Sequence, residues 1–127
     1  MTLFFDRSMG RRIPQALQLL GVDAIAHDDR FGPRTPDDVW LAAAGQRGWT
    51  VVTKDDRIRF NRAERVALVT YRVGCFVLLR RNATRWQLTQ ILARAWDEIE
   101  TISNAEPRPF LYAVYADGSV NRRSLSS

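Results

Sequence analysis

The sequence predicts a single α/β domain with a mostly parallel central sheet flanked by helices. Short apolar runs alternate along the chain with segments of helical periodicity, as in proteins built from repeated strand–helix units. Helix start and stop residues, such as Pro14 and Gly21, fall at the boundaries of these segments. The 127 residues fit one domain, with a tail over 122–127 that is expected to be flexible.

The predicted elements follow from these patterns in chain order. Strands are predicted at residues 2–5, 22–26, 49–53, 75–79 and 110–115. Helices are predicted at residues 11–20, from 36 to about 48, from about 60 to 68, and from the cap at 84 to about 102. Thr35 has the chemistry of an N-cap, Pro36 that of a first helical residue, and Asp38 completes a capping-box pattern. Thr84 is the predicted cap of the long helix, and Asp117-Gly118 predict a hairpin turn.

The charge balance favours a nucleic-acid partner. The net charge is +5, and every basic side chain except Lys54 and the single histidine is an arginine, which binds phosphates through two donors. Coding bias toward arginine is an equally good explanation of this composition. The chain has a single cysteine, lacks a signal-peptide pattern and contains no apolar run long enough to span a bilayer. These features predict a cytoplasmic protein with no membrane segment.

Three aspartates are predicted to converge. Asp6 and Asp55 each follow an apolar strand, and Asp37 stands at the start of a helix. In a parallel sheet with helices on its faces these positions lie at one edge. Carboxylates gathered there would repel one another, and Mg²⁺ or Mn²⁺ would remove that repulsion and could activate a water against a phosphate. Taken singly, each acid fits a structural role, as a turn former or a helix cap, better than a catalytic one.

Several other chemistries lack the residues they need. His27 is the single histidine, which argues against a histidine metal site or a triad, and it is interpreted as a polar loop residue. Cys75 lies in an apolar strand and is expected to be a buried small hydrophobe. No phosphate-binding glycine motif is present. The four tryptophans, Trp40, Trp49, Trp86 and Trp96, are all expected in the core.

Basic residues flank the predicted metal site. Arg7 follows Asp6, and Lys54, Arg57 and Arg59 surround Asp55. These side chains could contact a phosphate backbone, or could neutralise the neighbouring acids.

Three segments together resemble the PIN-like ribonuclease superfamily, and especially the compact relatives of VapC-type toxins. They are Leu3-Phe4-Phe5-Asp6, the helix start Thr35-Pro36-Asp37-Asp38-Val39-Trp40-Leu41, and the strand Gly48-Trp49-Thr50-Val51-Val52-Thr53-Lys54-Asp55. The resemblance implies a three-layer Rossmann-like fold and Mg²⁺- or Mn²⁺-dependent hydrolysis of RNA phosphodiester bonds. It implies Asp6, Asp37 and Asp55 as metal-site and catalytic acids, with Asp38 and Asp56 as alternative ligands. It also implies an RNA substrate, an antitoxin as partner if the chain is a toxin, and a homodimer as one assembly.

The chain departs from the family pattern in ways that keep other functions open. Arg57 stands where many relatives have the second acid of a D-x-D pair, and no fourth acid can be matched. A catalytically weak or inactive PIN-like binding module is therefore an alternative. A non-catalytic interaction protein is a further one. A phosphoacceptor receiver domain fits poorly, because Asp6 has no acidic neighbour and no lysine follows Lys54.

Overall fold

The computed structural model describes residues 1–54 and 61–125, which form one six-stranded sheet with helices on both faces. The strands are β1 (Leu3–Phe5), β2 (Ala24–Ala26), β3 (Thr50–Thr53), β4 (Gly74–Leu79), β5 (Phe110–Tyr115) and β6 (Val120–Arg122). The helices are α1 (Arg12–Leu19), α2 (His27–Arg30), α3 (Asp37–Arg47), α4 (Arg62–Tyr71) and α5 (Arg85–Ala105), with a short 3-10 helix at Arg7–Met9.

The sheet has the strand order β2-β1-β3-β4-β5-β6, and every pair is parallel except β5–β6. This confirms the predicted α/β fold with a mostly parallel sheet. All five parallel strands therefore end at one edge, which we call the carboxyl edge; the opposite one is the amino edge. Helices α1, α3, α4 and α5 each precede a parallel strand, so each begins at the carboxyl edge.

Two apolar clusters, one on each face of the sheet, hold the layers together. On the first face, Ile13 of α1 and Leu88 and Ile91 of α5 pack on side chains such as Phe5 and Phe76. On the second face, side chains of α3 and α4 pack on the sheet; they include Trp40, Leu41, Ala44 and Leu68. Since successive strand residues point to opposite faces, continuously apolar strands are what a sheet covered on both sides requires.

The predicted caps have different outcomes. Thr84 caps α5 as expected: its hydroxyl accepts from the Gln87 amide at 3.1 Å, and the Gln87 side chain accepts from the Thr84 amide at 3.0 Å. The predicted Thr35 cap is wrong. The residue that precedes α3 is Pro36, and no side chain caps that helix, because Pro36 keeps an extended ψ of 148° and delays the helix to Asp37.

Two short elements were not predicted. Residues His27–Arg30, expected as loop, form the four-residue helix α2. Strand β6 follows the predicted turn at Asp117-Gly118 and pairs antiparallel with β5. Arg122, expected to begin a flexible tail, pairs with Tyr112, and the Arg123 amide donates to the Leu111 carbonyl at 2.8 Å. Paired structure therefore continues into the expected tail.

The tryptophans divide between core and surface. Trp40 and Trp49 are buried as predicted, and Trp96 is half-buried against the first cluster. The prediction for Trp86 is wrong, since 68% of its surface is exposed. It lies two residues before the buried Leu88, about 200° around the helix, so it faces away from the sheet.

Candidate active site

Asp6 is the centre of the candidate site. It follows β1 directly at the carboxyl edge, and only 7% of its surface is exposed. Its Oδ1 accepts from the Ser8 amide at 3.1 Å and from the Ser8 hydroxyl at 2.5 Å, and its Oδ2 accepts from the Thr53 hydroxyl at 2.6 Å. A buried carboxylate is costly unless such donors replace water, so this network holds Asp6 in a defined orientation.

The end of β3 lies directly beside Asp6. The Asp6 amide donates to the Val52 carbonyl at 3.1 Å, and the Lys54 amide donates to the Ser8 hydroxyl at 3.3 Å. The register of Phe5 with Val52 carries Asp6 next to Thr53, one residue further along both strands. Asp55 follows Lys54 in the chain. Asp55 and Asp56, together with Arg57 and Arg59, lie outside the described residues.

Asp37 begins α3 and is exposed at the carboxyl edge. Its Oδ1 accepts from the Trp40 indole at 3.1 Å, and the Trp40 ring stacks on Phe4, two residues before Asp6, with centroids 5.4 Å apart. Asp38, the alternative ligand, is exposed beside it. The structure thus brings Asp6 and Asp37 to the same edge of the sheet, as predicted from the topology.

The basic residues Arg7 and Lys54 are both exposed at this edge. The Arg7 guanidinium donates to the Pro33 carbonyl, which ties the segment after β1 to the loop before α3. Arg11 serves the neighbouring segment in the same way, with an ion pair to Asp29 at 3.2 Å and a hydrogen bond to the Asp28 carbonyl at 3.0 Å. At least part of this positive charge therefore fixes loops around the site.

The two hydroxyls that hold Asp6 were not predicted from the sequence. The signal for Ser8 is its position two residues after an aspartate, where serine commonly closes a side-chain turn. Thr53 can be recognised as a neighbour of Asp6 only once β1 is paired with β3, because the distance between the two residues depends on the register of those strands. Both residues are candidates for positioning the carboxylate.

Glu64 is another acid near the site that was not predicted as a site residue. It lies half-buried in the first turn of α4, which begins at the carboxyl edge. Burial raises the pKa of the Cys75 thiol, and the negative charges of Asp6 and Glu64 raise this pKa further. Both carboxylates therefore influence the same buried thiol.

The interpretation of His27 as a polar loop residue is wrong. It follows Ala26, the partner of Phe5 in the sheet, and only 1% of its surface is exposed. Its ring lies among Phe4, Phe31 and Trp40, and its Nδ1 is 2.8 Å from Asp28 Oδ1. Within the described part of the chain, the buried Nε2 has no hydrogen-bond partner.

The chemistry of the site suits a hard divalent cation. Asp6 and Asp37 offer carboxylate oxygens at one edge, and oxygen ligands are those that Mg²⁺ and Mn²⁺ prefer. Across residues 1–54 and 61–125, no three acidic, histidine or cysteine side chains are grouped closely enough to hold a metal ion. The set predicted from the sequence needs Asp55, which follows the described part of β3 by two residues.

Comparisons with known proteins identify the family of this chain. A family model described as "PIN like domain" matches residues 1–80. Over 120 residues the chain is 28% identical to "Putative ribonuclease VapC45" of Mycobacterium tuberculosis (strain ATCC 25618 / H37Rv), and this similarity covers 89% of the chain and 85% of that relative. No solved structure matches the chain. The matched family model covers the strands and helices that build the candidate site, and the chain belongs to the PIN-like domain family.

Proposed function

We propose that this chain is a metal-dependent endoribonuclease that hydrolyses RNA phosphodiester bonds as one PIN-like domain over residues 1–127. The observation that carries this proposal is the buried carboxylate Asp6. Both its oxygens are held by hydroxyl or amide donors at the carboxyl edge, beside the strand that leads to Asp55. Open α/β sheets bind their ligands at this edge. A set of hydrogen-bond donors that fixes a buried carboxylate at this edge is an arrangement suited to catalysis rather than to folding alone.

Asp6, Asp37 and Asp55 are the residues that would hold Mg²⁺ or Mn²⁺, with Asp38 and Asp56 as alternatives. Such an ion, when bound, polarises a phosphoryl oxygen and lowers the pKa of a water. The protein's own contribution is to hold the ligands in place. Ser8 and Thr53 fix the two oxygens of Asp6, and Trp40 holds one oxygen of Asp37 at 3.1 Å.

The basic residues would bind the RNA backbone around these acids. Lys54 and Arg7 are exposed at the carboxyl edge, and Arg57 and Arg59 follow in the sequence. The net charge of +5 favours a polyanionic substrate, and arginine and lysine contacts to phosphates position a strand without reading its sequence.

The biological role that we propose is that of the toxin in a toxin–antitoxin pair. The support is the 28% identity to the relative named "Putative ribonuclease VapC45". The pair would act in the cytoplasm, with the antitoxin as cognate partner and a homodimer as one assembly. None of the helices in the described residues could cross a membrane.

A cleavage assay on single-stranded RNA, with Mg²⁺ or Mn²⁺ and with a chelator, tests the nuclease proposal. We expect cleavage only with the metal, and we expect Asp6→Asn, Asp37→Asn and Asp55→Asn each to slow it about 100-fold or more. Asn keeps the side-chain volume and removes the charge. Asp23→Asn is the matched control, because Asp23 is exposed before β2 at the amino edge, where it accepts from Thr2.

Titration of Mn²⁺ by calorimetry distinguishes the alternatives. Metal and RNA binding without cleavage would assign the chain to the inactive binding modules. Full activity in folded Asp6→Asn protein, or equal losses in Asp23→Asn, would contradict the proposed site. Thermal unfolding of each variant shows whether the fold is intact.

A further inference from the structure

An exposed aromatic residue with three arginines stands where β4 leads into α5. Arg80 and Arg81 follow β4, and Arg85 and Trp86 form the first turn of α5. We propose that these four residues bind single-stranded RNA, with Trp86 stacking on an unpaired base and the arginines contacting phosphates. This inference rests on the proposed ribonuclease function and assigns part of its substrate-binding surface.

The exposure of Trp86 is the first observation behind this proposal. Helix α5 buries a full stripe of side chains on the sheet, namely Leu88, Ile91, Leu92, Ala95 and Ile99. Trp86 is off this stripe, and 68% of its surface contacts solvent. Stacking on a nucleobase would remove one ring face from water, and such stacking tolerates any base sequence.

The charge around Trp86 is the second observation. Arg80, Arg81 and Arg85 are all exposed, and none of them forms an ion pair with another described residue. The sequence contains no acid from Arg65 to Trp96, so no carboxylate close in sequence offsets the charge of this group. Basic side chains interleaved with an aromatic ring are the usual composition of a surface that binds single strands.

The first turn of α5 is held in place before any ligand binds. The capping box between Thr84 and Gln87 encloses Arg85 and Trp86 and fixes their backbone. A fixed backbone lowers the entropy lost when the side chains bind a strand. The start of this 21-residue helix also favours nearby negative charge.

The position relative to Asp6 allows one strand to reach both places. Strand β4 is the second neighbour of β1 across the sheet, about 10 Å away at the usual strand spacing. Phe5 pairs with Val52, and Val52 pairs with Phe76, so Phe5 and Phe76 lie at the same level along the strands. Strand β4 continues three residues past Phe76, which places its end about 10 Å further along the strand direction. Helix α5 covers the first face of the sheet and α3 covers the second. An RNA strand that contacts the start of α5 and the start of α3 would therefore cross the carboxyl edge.

The chemistry favours RNA over a protein partner. A protein interface of useful size needs a contiguous apolar centre, whereas Trp86 is a single ring among arginines. A base-paired duplex would not offer free base faces to the ring. The preferred ligand is therefore an unpaired segment of RNA.

Fluorescence anisotropy of a labelled single-stranded RNA oligonucleotide, measured in a chelator so that nothing is cleaved, tests the proposal on the full chain. We expect Trp86→Ala to weaken binding about 5- to 100-fold, and Trp86→Phe to retain most of the affinity because a ring remains. Leu19→Ala is the matched control, since Leu19 is an exposed apolar residue at the end of α1.

The arginines are tested through the salt dependence of the same binding. Each of Arg80→Gln, Arg81→Gln and Arg85→Gln that removes a phosphate contact should reduce the slope of log affinity against log salt by about 0.7. Arg72→Gln is the control, because Arg72 lies at the C-terminal end of α4, away from the carboxyl edge, and this change should leave the slope unchanged.

The possible failures are distinguishable. Equal RNA affinity of wild type and Trp86→Ala, with cleavage by the wild type, would overturn this inference and leave the ribonuclease intact. Self-association that Trp86→Ala abolishes, with RNA affinity unchanged, would assign Trp86 to a protein interface and also overturn it. A wild-type chain that neither binds nor cleaves RNA would overturn both proposals.

Discussion

Asp6 combines burial with a set of donors that leaves its carboxylate little freedom to rotate. Ser8 contributes an amide and a hydroxyl to one oxygen, and Thr53 contributes a hydroxyl to the other at 2.6 Å. Hydrogen bonds to a charged group are stronger than those between neutral groups, and in a buried position their loss is not replaced by water. Thr53 therefore has a defined role that can be measured apart from catalysis.

We predict that Thr53→Val destabilises the protein by about 1–3 kcal/mol, because valine keeps the shape of threonine and removes the donor to Asp6. Urea unfolding monitored by circular dichroism measures this difference. Thr53→Ser is the matched control, since it keeps the hydroxyl and should restore most of what Thr53→Val loses. Equal stability of wild type and Thr53→Val would show that this hydrogen bond contributes nothing to the fold.

His27 illustrates why single residues at the site were hard to interpret from sequence. The run His27-Asp28-Asp29-Arg30 is polar, so it predicts a loop. The pairing of β2 with β1 instead carries His27 beneath Trp40 and next to Phe4, where only 1% of it is exposed. Burial of this kind is decided by the neighbouring strand and helix, which are distant in sequence.

At the scale of elements, the crossing of α3 and α4 depends on a glycine. A Cβ on Gly45 would lie 1.8 Å from the carbonyl oxygen of Tyr71 at the end of α4. Real Cβ atoms do not approach a backbone oxygen so closely, so either helix would have to shift. Both residues lie near the C-terminal ends of their helices, so this contact sets the spacing of α3 and α4 toward the amino edge.

We predict that Gly45→Ala destabilises the protein by about 1–3 kcal/mol, the usual cost of overpacking. Alanine has the better helix propensity, so a loss of stability would be due to the helix contact alone. The midpoint of thermal unfolding should fall by several degrees. In the control Gly32→Ala the new Cβ meets only the Thr35 hydroxyl, at 3.7 Å, and we expect no loss. A Gly45→Ala protein as stable as the wild type would show that α3 and α4 separate at little cost.

Elements with a clear period were predictable, and short ones were not. The apolar strands β1 to β5 and the capped helix α5 follow from residue pattern and from Thr84 with Gln87. Strand β6 has three residues that are not buried, and α2 has only four residues, so neither has enough length to show a period. Trp86 was misassigned because its helix position, and not its hydrophobicity, decides its exposure.

At the scale of the whole molecule, the parallel sheet explains how distant acids reach one edge. Strand order and direction bring Asp6 and Asp37 there, and both follow from the alternation of strands and helices in the sequence. The contact of the Thr53 hydroxyl with Asp6 depends on the register of β1 with β3, which the pattern of apolar residues leaves undetermined. The sequence therefore predicts which acids share an edge, but not how they are held.

Cys75 reports on the cooperative unfolding of this whole structure. It lies in β4, between β3 and β5 in the sheet, and is fully buried in the second apolar cluster. Burial is the main cause of its raised pKa, and the charges of Asp6 and Glu64 add to it. The thiolate is the reactive form of cysteine, so the folded protein should be inert to thiol reagents where an ordinary thiol reacts.

We therefore predict that labelling of Cys75 by a disulfide reagent at about pH 8.5 is limited by unfolding. The unfolded chain ionises near the ordinary thiol pKa of about 8.5, whereas the folded chain keeps its proton to higher pH. The contribution of this group to stability is thus fully present below that pH and is lost progressively above it. Labelling rates in increasing urea should follow the unfolded fraction from circular dichroism, with a single cysteine giving one unambiguous signal. Rapid labelling without urea would mean that β4 opens locally while the rest of the sheet stays folded, and the two apolar clusters would then not unfold as one unit.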